Sequence, residues 1–386
     1  MEPLGWLEII ARIAQQLLPV WIALVITFAL SIRLKRRLGL YGKLFDSNVG
    51  MIGFAIVMFW LFAAFFADWI VTHDPLGQVS GLRNASPGEA LRSPGDMYPY
   101  YLLGGDSLAR DVFSRAIMGA REVLRIAPFA AMISFMIGIS LGLPAGYFTG
   151  KLDTGLTFLA NLVLAFPVIL LFFLLVAPEI QNTLIPKVMA GILFIAPILF
   201  VTVLLNSRFF TQPAKRNLYV GVVLLFGAWA YIGLVFNADP VGIWGMSPNL
   251  LNVFVAVVFV NSPTVFRIVR GITLDIKTRD YVAAAQTRGE GAWYIMLWEI
   301  LPNARGPLIV DFCLRIGYTT ILLGTLGFFG LGVSPESPDW GSTINMGRRL
   351  LSVYPTPALV PALSLMSLVL GLNLLADGLR EESLKD

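Results

Sequence analysis

One cysteine and one histidine stand in a chain of 386 residues. Cys313 alone allows no disulfide within the chain and no Cys-x-x-Cys redox or zinc site. His73 alone cannot build a histidine metal cluster, and it reads as a loop histidine just past a membrane span. Charge is scarce too, at 13% of residues, against about 25% in soluble domains. A Gly-x-x-x-x-Gly-Lys-Ser/Thr phosphate loop is missing: "GKLDT" at Gly150 lacks both the preceding glycine spacing and the Lys-Ser/Thr pair. The chain is therefore not expected to be its own ATPase. Gly138-Ile139-Ser140-Leu141-Gly142 matches Gly-x-Ser-x-Gly in letters only, since it lies inside an apolar run and not at a strand-to-helix elbow, and His-Glu-x-x-His does not occur; both points argue against an enzyme working in the membrane. The opening "MEPLGWLEIIARIAQQ" carries acids but no basic n-region, and no small-residue cleavage site follows. Residues 17–32 then read as a retained anchor rather than a secretory signal, with an in-plane helix as the alternative.

What the chain has is apolar surface. It is 57% hydrophobic, with mean hydropathy +0.76. The apolar residues are bunched into runs about 20 long, the length at which a helix crosses ~30 Å of hydrocarbon. Nine spans are predicted, at about 17–32, 49–71, 126–148, 155–177, 186–206, 217–236, 250–270, 305–331 and 356–378. Most of the 28 lysines and arginines fall on one side of this path, beginning with "RLKRRLGLYGK". The short connections 177–187 and 237–249 on the other side hold only Lys187. The positive side faces the cytoplasm, so the N-terminus is expected outside and the C-terminus inside. Residues 72–105 are rich in Pro, Gly, Ser and Asn and read as an external loop. "DSLARDVFSRAIMGAREVLRI" follows, where Leu108, Val112, Ile117 and Leu124 alternate with arginines. That pattern predicts an amphipathic helix lying on the outer surface, so the loop as a whole is drawn as 72–125. Two ionisable residues, Asp311 and Arg315, sit deep in a span on one helical face. They make either a mutually neutralised structural pair or part of a polar translocation path.

One segment is too short and too weakly apolar to span: "RDYVAAAQTRGEGAWYIMLWEILPNARG", from 279 onward. Gly289 is placed to end a first helix in the left-handed conformation. "AWYIMLWEIL" then carries Trp293, Met296, Leu297, Ile300 and Leu301 on one face, and Pro302 is expected to end that helix at the residue before it. The small side chains of Ala283, Ala284 and Ala285 suit close docking in a partner's groove. The spacing predicts a helix–turn–helix elbow, 279–302, parallel to the membrane on the positive side.

This stretch resembles the cytoplasmic coupling motif of ABC-importer permeases. In that motif Glu-Ala-Ala is followed after three residues by Gly and later by Leu-Pro; Ala283-Ala284-Ala285, Gly289 and Leu301-Pro302 fall at those spacings. More narrowly, the chain resembles the second permease subunit of dipeptide, oligopeptide and nickel importers. "LLGGDSLARDVFSRAIMGAR", "GLPAGYFTGKLDT", "LAFP", "ILPNARGPLIV", "FFGLGVSPESPDWGSTI" and "NLLADGLRE" carry that likeness in order, over most of 49–177 and 250–386. The resemblance implies an all-α, six-span type I importer core at 49–386 in a bacterial cytoplasmic membrane. About three helices are extra: the anchor in 1–48 and a hairpin near 186–236, where relatives have one short connection. It implies a second homologous permease, two ATP-binding subunits that hold ATP and Mg, an external solute-binding protein, and surrounding lipid. Neither a cofactor on this chain nor a nucleic acid is expected. Tyr281, Ala283, Ala284, Ala285, Gly289, Leu301 and Pro302 would couple to the ATPase. Pro335, Ser337, Pro338, Asp339, Trp340 and Gly341 would form an external gate or meet the binding protein. Three departures stand out: Ala283 replaces the motif's usual Glu, Glu299 takes a usually apolar position, and Leu323 replaces a common Glu. The alternative to an importer subunit is an ion-coupled secondary transporter or channel working without ATPase partners.

Overall fold

The computed structural model describes residues 2–93, 95–181, 183–242, 246–331 and 337–383. Among them, 8 helices are long and apolar enough to cross a membrane, or up to 9 if one bent pair counts as a span. Every predicted span falls on such a helix or pair. The chain divides into two compact units, residues 1–128 with 313–386, and residues 129–312.

The first unit begins with α1 (Trp6–Gln16) and α2 (Leu18–Leu34). The helix α1 is an addition to the predicted elements. Its Ile9 is buried while Trp6, Leu7 and Ile10 are exposed. It docks on the segment after α3 (Asn48–Phe65). The Leu4 amide donates to the Gly88 carbonyl at 3.0 Å, Gln16 Nε2 donates to the Ile70 carbonyl at 2.8 Å, and the Arg12 guanidinium lies 4.8 Å from the centre of the Tyr100 ring.

Residues 72–111 fold into a small cap. A two-residue antiparallel ladder, β1 (Glu89–Ala90) with β2 (Tyr100–Tyr101), pairs Glu89 with Tyr101. Leu82, Leu91 and Tyr101 form its core. The predicted surface helix at 106–126 is replaced by a different arrangement. The loop runs to Asp111, and α4 (Val112–Phe148) then continues for 37 residues without interruption. The reason lies in the arginines. Arg110 and Arg115 are buried rather than wet, because Asp106 takes Arg110 Nε at 2.7 Å and Thr343 Oγ1 takes Arg115 Nη2 at 2.9 Å. A buried charge persists only where it is paired and hydrogen-bonded, and these are. His73 is a satisfied interior histidine: its Nε2 lies 2.9 Å from the Tyr98 carbonyl, and its ring meets Tyr101 edge-on at 4.8 Å.

In the second unit, α5 (Lys151–Ala165) and α6 (Val168–Val176) replace the single predicted span 155–177. They meet at 84° across Phe166 and Pro167. Pro167 lacks an N–H and forces its predecessor into extended backbone, which Phe166 adopts at φ −81°, ψ 138°. The helix α9 (Pro248–Ile276) is the centre of this unit, with 72% of its apolar window buried, whereas α7 (Ile185–Arg208) and α8 (Pro213–Phe236) have 11% each. The pair α7–α8 is therefore a peripheral hairpin whose apolar surface suits lipid. Asp153 and Arg270 join α5 to α9 as an ion pair, with Arg270 Nη2 at 2.7 Å from Asp153 Oδ2. The helix α12 (Arg305–Phe328) runs through both units, and the first closes with α13 (Trp340–Gly347) and α14 (Thr356–Ser383).

Candidate functional site: the elbow and the outer loop

The elbow opens with α10, Asp280–Thr287, capped at its start by extended Arg279. Val282 and Ala285 point inward and are fully buried, while Tyr281, Ala283 and Ala284 face outward. Of the three alanines, two are thus displayed and one is floor. The reversal comes at Gly289, whose φ is +79° and around which a Cβ would meet nothing within 4 Å. Its amide donates to Gln286 O at 2.9 Å, and Glu290 N reaches back to Ala285 O at 3.2 Å. These bonds satisfy carbonyls that the helix end leaves open. Arg288 Nη2 donates to Glu299 Oε1 at 2.9 Å, so the departing Glu299 closes the turn by ion pairing across it.

The second arm is α11 (292–303). Its middle, Ile295–Ile300, is wound as a π-helix, and Leu301–Asn303 continues as α-helix. Pro302 was expected to stop this helix, and it does not. In an α-helix its ring would strike the carbonyl of Trp298 and leave one bond unmade. The wider π turn just before it removes that conflict. The same widening shifts the buried face: Ile295, Met296, Leu297 and Ile300 are interior. Trp293, expected on that face, is 45% exposed, and Leu301 is half-buried. Both arms rest on one apolar cluster with Phe135, Leu143, Val269 and Ile276. Val282 and Ile295 were missed in the sequence, since a 3.6-residue period assigns Ile295 to the wrong side of a π turn.

A cleft of ≈ 570 Å³ opens beside the elbow, lined by Asp275, Arg279, Tyr281, Asn303 and Pro307 among others. Arg279 Nη2 donates to Asp275 Oδ2 at 2.9 Å, which holds the guanidinium above its ordinary pKa. Partial burial raises the Tyr281 hydroxyl. The outward face of the elbow is consequently short side chains flanked by a cation already in an ion pair.

In the outer loop Pro335 lies outside the described residues. Trp340 is only 1% exposed; its Nε1 donates to the Ala116 carbonyl at 2.8 Å, and its ring stands edge-on to Trp60 at 5.2 Å. Gly341 is pressed so close to α12 that a Cβ would sit 2.0 Å from the Gly324 carbonyl. These two residues anchor the loop inward. Ser337, Pro338 and Asp339 are half-buried. Asp339 caps α13, with Oδ1 accepting from the Ser342 amide at 2.9 Å. Burial pushes its carboxyl pKa up, against the opposing pull of those bonds and of Arg115. Of the deep charged residues, Asp311 is buried, and the Arg315 guanidinium lies over the Tyr318 ring at 5.6 Å.

Residues 217–381 match the family described as binding-protein-dependent transport system inner membrane component. Over its length the chain is similar to the glutathione transport system permease protein GsiD of Pectobacterium atrosepticum, 29% identical across 86% of each chain. It is 28% identical to the dipeptide transport system permease protein DppC of Haemophilus influenzae, covering 87% of this chain and 90% of that one. A di/tripeptide transport system permease protein DppC of Pseudomonas aeruginosa is also 28% identical, over 87% and 88%.

Proposed function

We propose that the chain is a permease of a binding-protein-dependent ABC importer and that it passes small peptides or peptide-like solutes such as glutathione. It is a membrane-spanning, non-enzymatic subunit, and ATP is hydrolysed by a separate subunit. Its all-α fold is the type I permease fold, in a multi-pass protein of the inner membrane. The solute class is supported by the transport named for its relatives.

The working complex holds this chain, a second homologous permease, two ATP-binding subunits carrying ATP and Mg²⁺, and an extracytoplasmic binding protein. The elbow seats in one ATP-binding subunit. Tyr281, Ala283 and Ala284 meet it directly, with Ala285, Leu301 and Pro302 holding the arms. The observation that carries this reading is the elbow itself, two short arms rigidly packed on one apolar floor and reversed at Gly289. Closing of the ATP-binding subunits then moves the elbow as a lever, and the spans reorient around the solute. With Ala283 in place of an acid, the seat depends on shape and changes only modestly with salt, since few ion pairs are available to be screened. The outer stretch 335–341 meets the binding protein or closes the gate, with Ser337 and Pro338 half-buried and Asp339 shaping the helix that follows. Asp311 and Arg315 belong to the span lining or its support. The N-terminus lies outside and the C-terminus inside. Support comes from Arg33, Lys35, Arg36 and Arg37 at one end of α2 and from the docking of α1 on the 72–111 cap at the other.

Reconstitution in proteoliposomes with the candidate partners separates this from ion-coupled transport. Uptake of a dipeptide mixture should require ATP and binding protein and persist when ionophores collapse all ion gradients. Uptake that runs on a gradient without ATPase subunits would refute the importer reading.

A further inference from the structure

The hairpin α7–α8 is the part of the chain to which the importer reading gives no task. Its foot nevertheless stands on the elbow. Phe200, Val203 and Leu204 of α7 pack on the same apolar cluster that floors both arms. Beyond them, Ser207 and Arg208 close on one elbow side chain. Trp298 Nε1 donates to Ser207 Oγ at 3.0 Å, and the Arg208 guanidinium lies 4.7 Å from the centre of the Trp298 ring. Ser207 Oγ in turn donates to the Leu204 carbonyl at 2.9 Å. Its proton is committed to its own helix, which leaves a lone pair aimed at the indole, a group that can only donate. Apolar packing would fix a distance. A directed N–H and a cation on the ring face fix an orientation as well.

We infer that the α7–α8 hairpin is a strut on the coupling elbow, with Trp298 as its joint, so that the elbow and the hairpin move together. Trp298 acts as a positioning residue. It sits in the π turn beside Glu299, and Glu299 holds Arg288 across the Gly289 reversal. The bond chain thus runs from the foot of α7 through α11 to the tip of the elbow. The 24 residues of α7 make a lever of about 36 Å, so a small rotation at its foot displaces the far end appreciably. Its slight burial leaves lipid as its main surroundings, which yield to a tilt at low cost. The hairpin therefore steadies the elbow without holding it in one place. This inference rests on the elbow being the coupling element.

The test is a double-mutant cycle in the reconstituted complex with binding protein, reading dipeptide-mixture uptake per ATP hydrolysed. Trp298→Leu on the elbow and Ser207→Ala with Arg208→Gln on the hairpin should each lower that ratio about five- to tenfold, the range for losing one hydrogen bond and one cation–ring contact. The amount of assembled complex should stay normal. The triple variant should be no worse than either, because each side breaks the same joint. Arg208→Lys, which keeps a cation on the ring, should stay near wild type. An unchanged ratio in the hairpin variant, or losses that multiply in the triple, would overturn the strut. If Trp298→Leu does not assemble, the hairpin variant alone decides, since Ser207 and Arg208 lie outside the elbow. Gly289→Val in the same preparation separates the two readings. If it uncouples while the hairpin variants do not, only the strut fails; if it has no effect, the coupling assignment itself fails.

Discussion

Gly289 occupies the one elbow position where backbone conformation, and nothing else, selects the residue. Its φ of +79° is reached without any neighbour within 4 Å of a would-be Cβ. The cost of a side chain there is purely conformational, about 1–2 kcal/mol for a left-handed L-residue. Gly289→Val should therefore insert and assemble, yet lose roughly tenfold in solute-stimulated ATP hydrolysis, since 1.4 kcal/mol is a factor of ten. Gly289→Asn, which tolerates the left-handed region, should keep most of it. Equal damage from both would point to a contact rather than to conformation. Asp339 poses the opposite problem, a good cap with its carboxylate in a poor medium. Its folded pKa is raised by burial, so the folded state holds the proton more tightly than the unfolded chain. That stabilisation is complete below the unfolded carboxylate value and is lost as pH rises through the folded one. Asn caps as well as Asp and carries no charge. Asp339→Asn should thus match wild type near pH 3 and become the more stable of the two at pH 8, by about 1 kcal/mol or less. Melting temperatures of the purified protein at the two pH values check this; a deficit at pH 8 would mean that the ionised carboxylate is needed there.

At the scale of elements, the hairpin α7–α8 is the sharpest test of topology. Its turn carries Arg208, Lys215 and Arg216, and its apolar helices have little burial inside the protein. A cysteine at Thr211 in a Cys313→Ser background should resist a membrane-impermeant thiol reagent applied to intact cells and react after permeabilisation. Labelling from outside would invert the hairpin. The spans were legible because hydrophobic runs of this length have one economical solution in a bilayer. The interruptions were not. The 84° break at Phe166 and Pro167 looks, in sequence, like any tolerated proline in a span. The π turn at Ile295–Ile300 has no signature in a 3.6-residue pattern, which assigns Trp293 to the wrong face. The unbroken α4 was hidden by its own arginines, which read as a wet face until Asp106 and Thr343 were seen to hold them. The first helix, α1, is hard to read although Trp6, Leu7 and Ile10 lie on one face, because its 11 residues are too short to span.

For the molecule as a whole, the elbow's position in the chain and its Gly289 turn were legible, since both depend on local backbone chemistry. The hairpin's grip on Trp298 was not, because Ser207 and Trp298 lie 91 positions apart and carry no local pattern. On the proposed function, this chain receives the work of ATP through residues 279–302. That transfer depends on Ala283 and Ala284 being displayed while Val282 and Ala285 hold the floor. The most direct measurement is cross-linking from a single cysteine at Ala284, in the Cys313→Ser background, to cysteines placed on the ATP-binding subunit of the assembled complex. The expected result is an efficient cross-link whose yield changes between nucleotide-free and ATP-bound states, with a control cysteine at buried Ala285 giving none. If Ala284 never cross-links in either state while the complex remains assembled and active, the elbow does not touch the ATPase, and the claim is wrong.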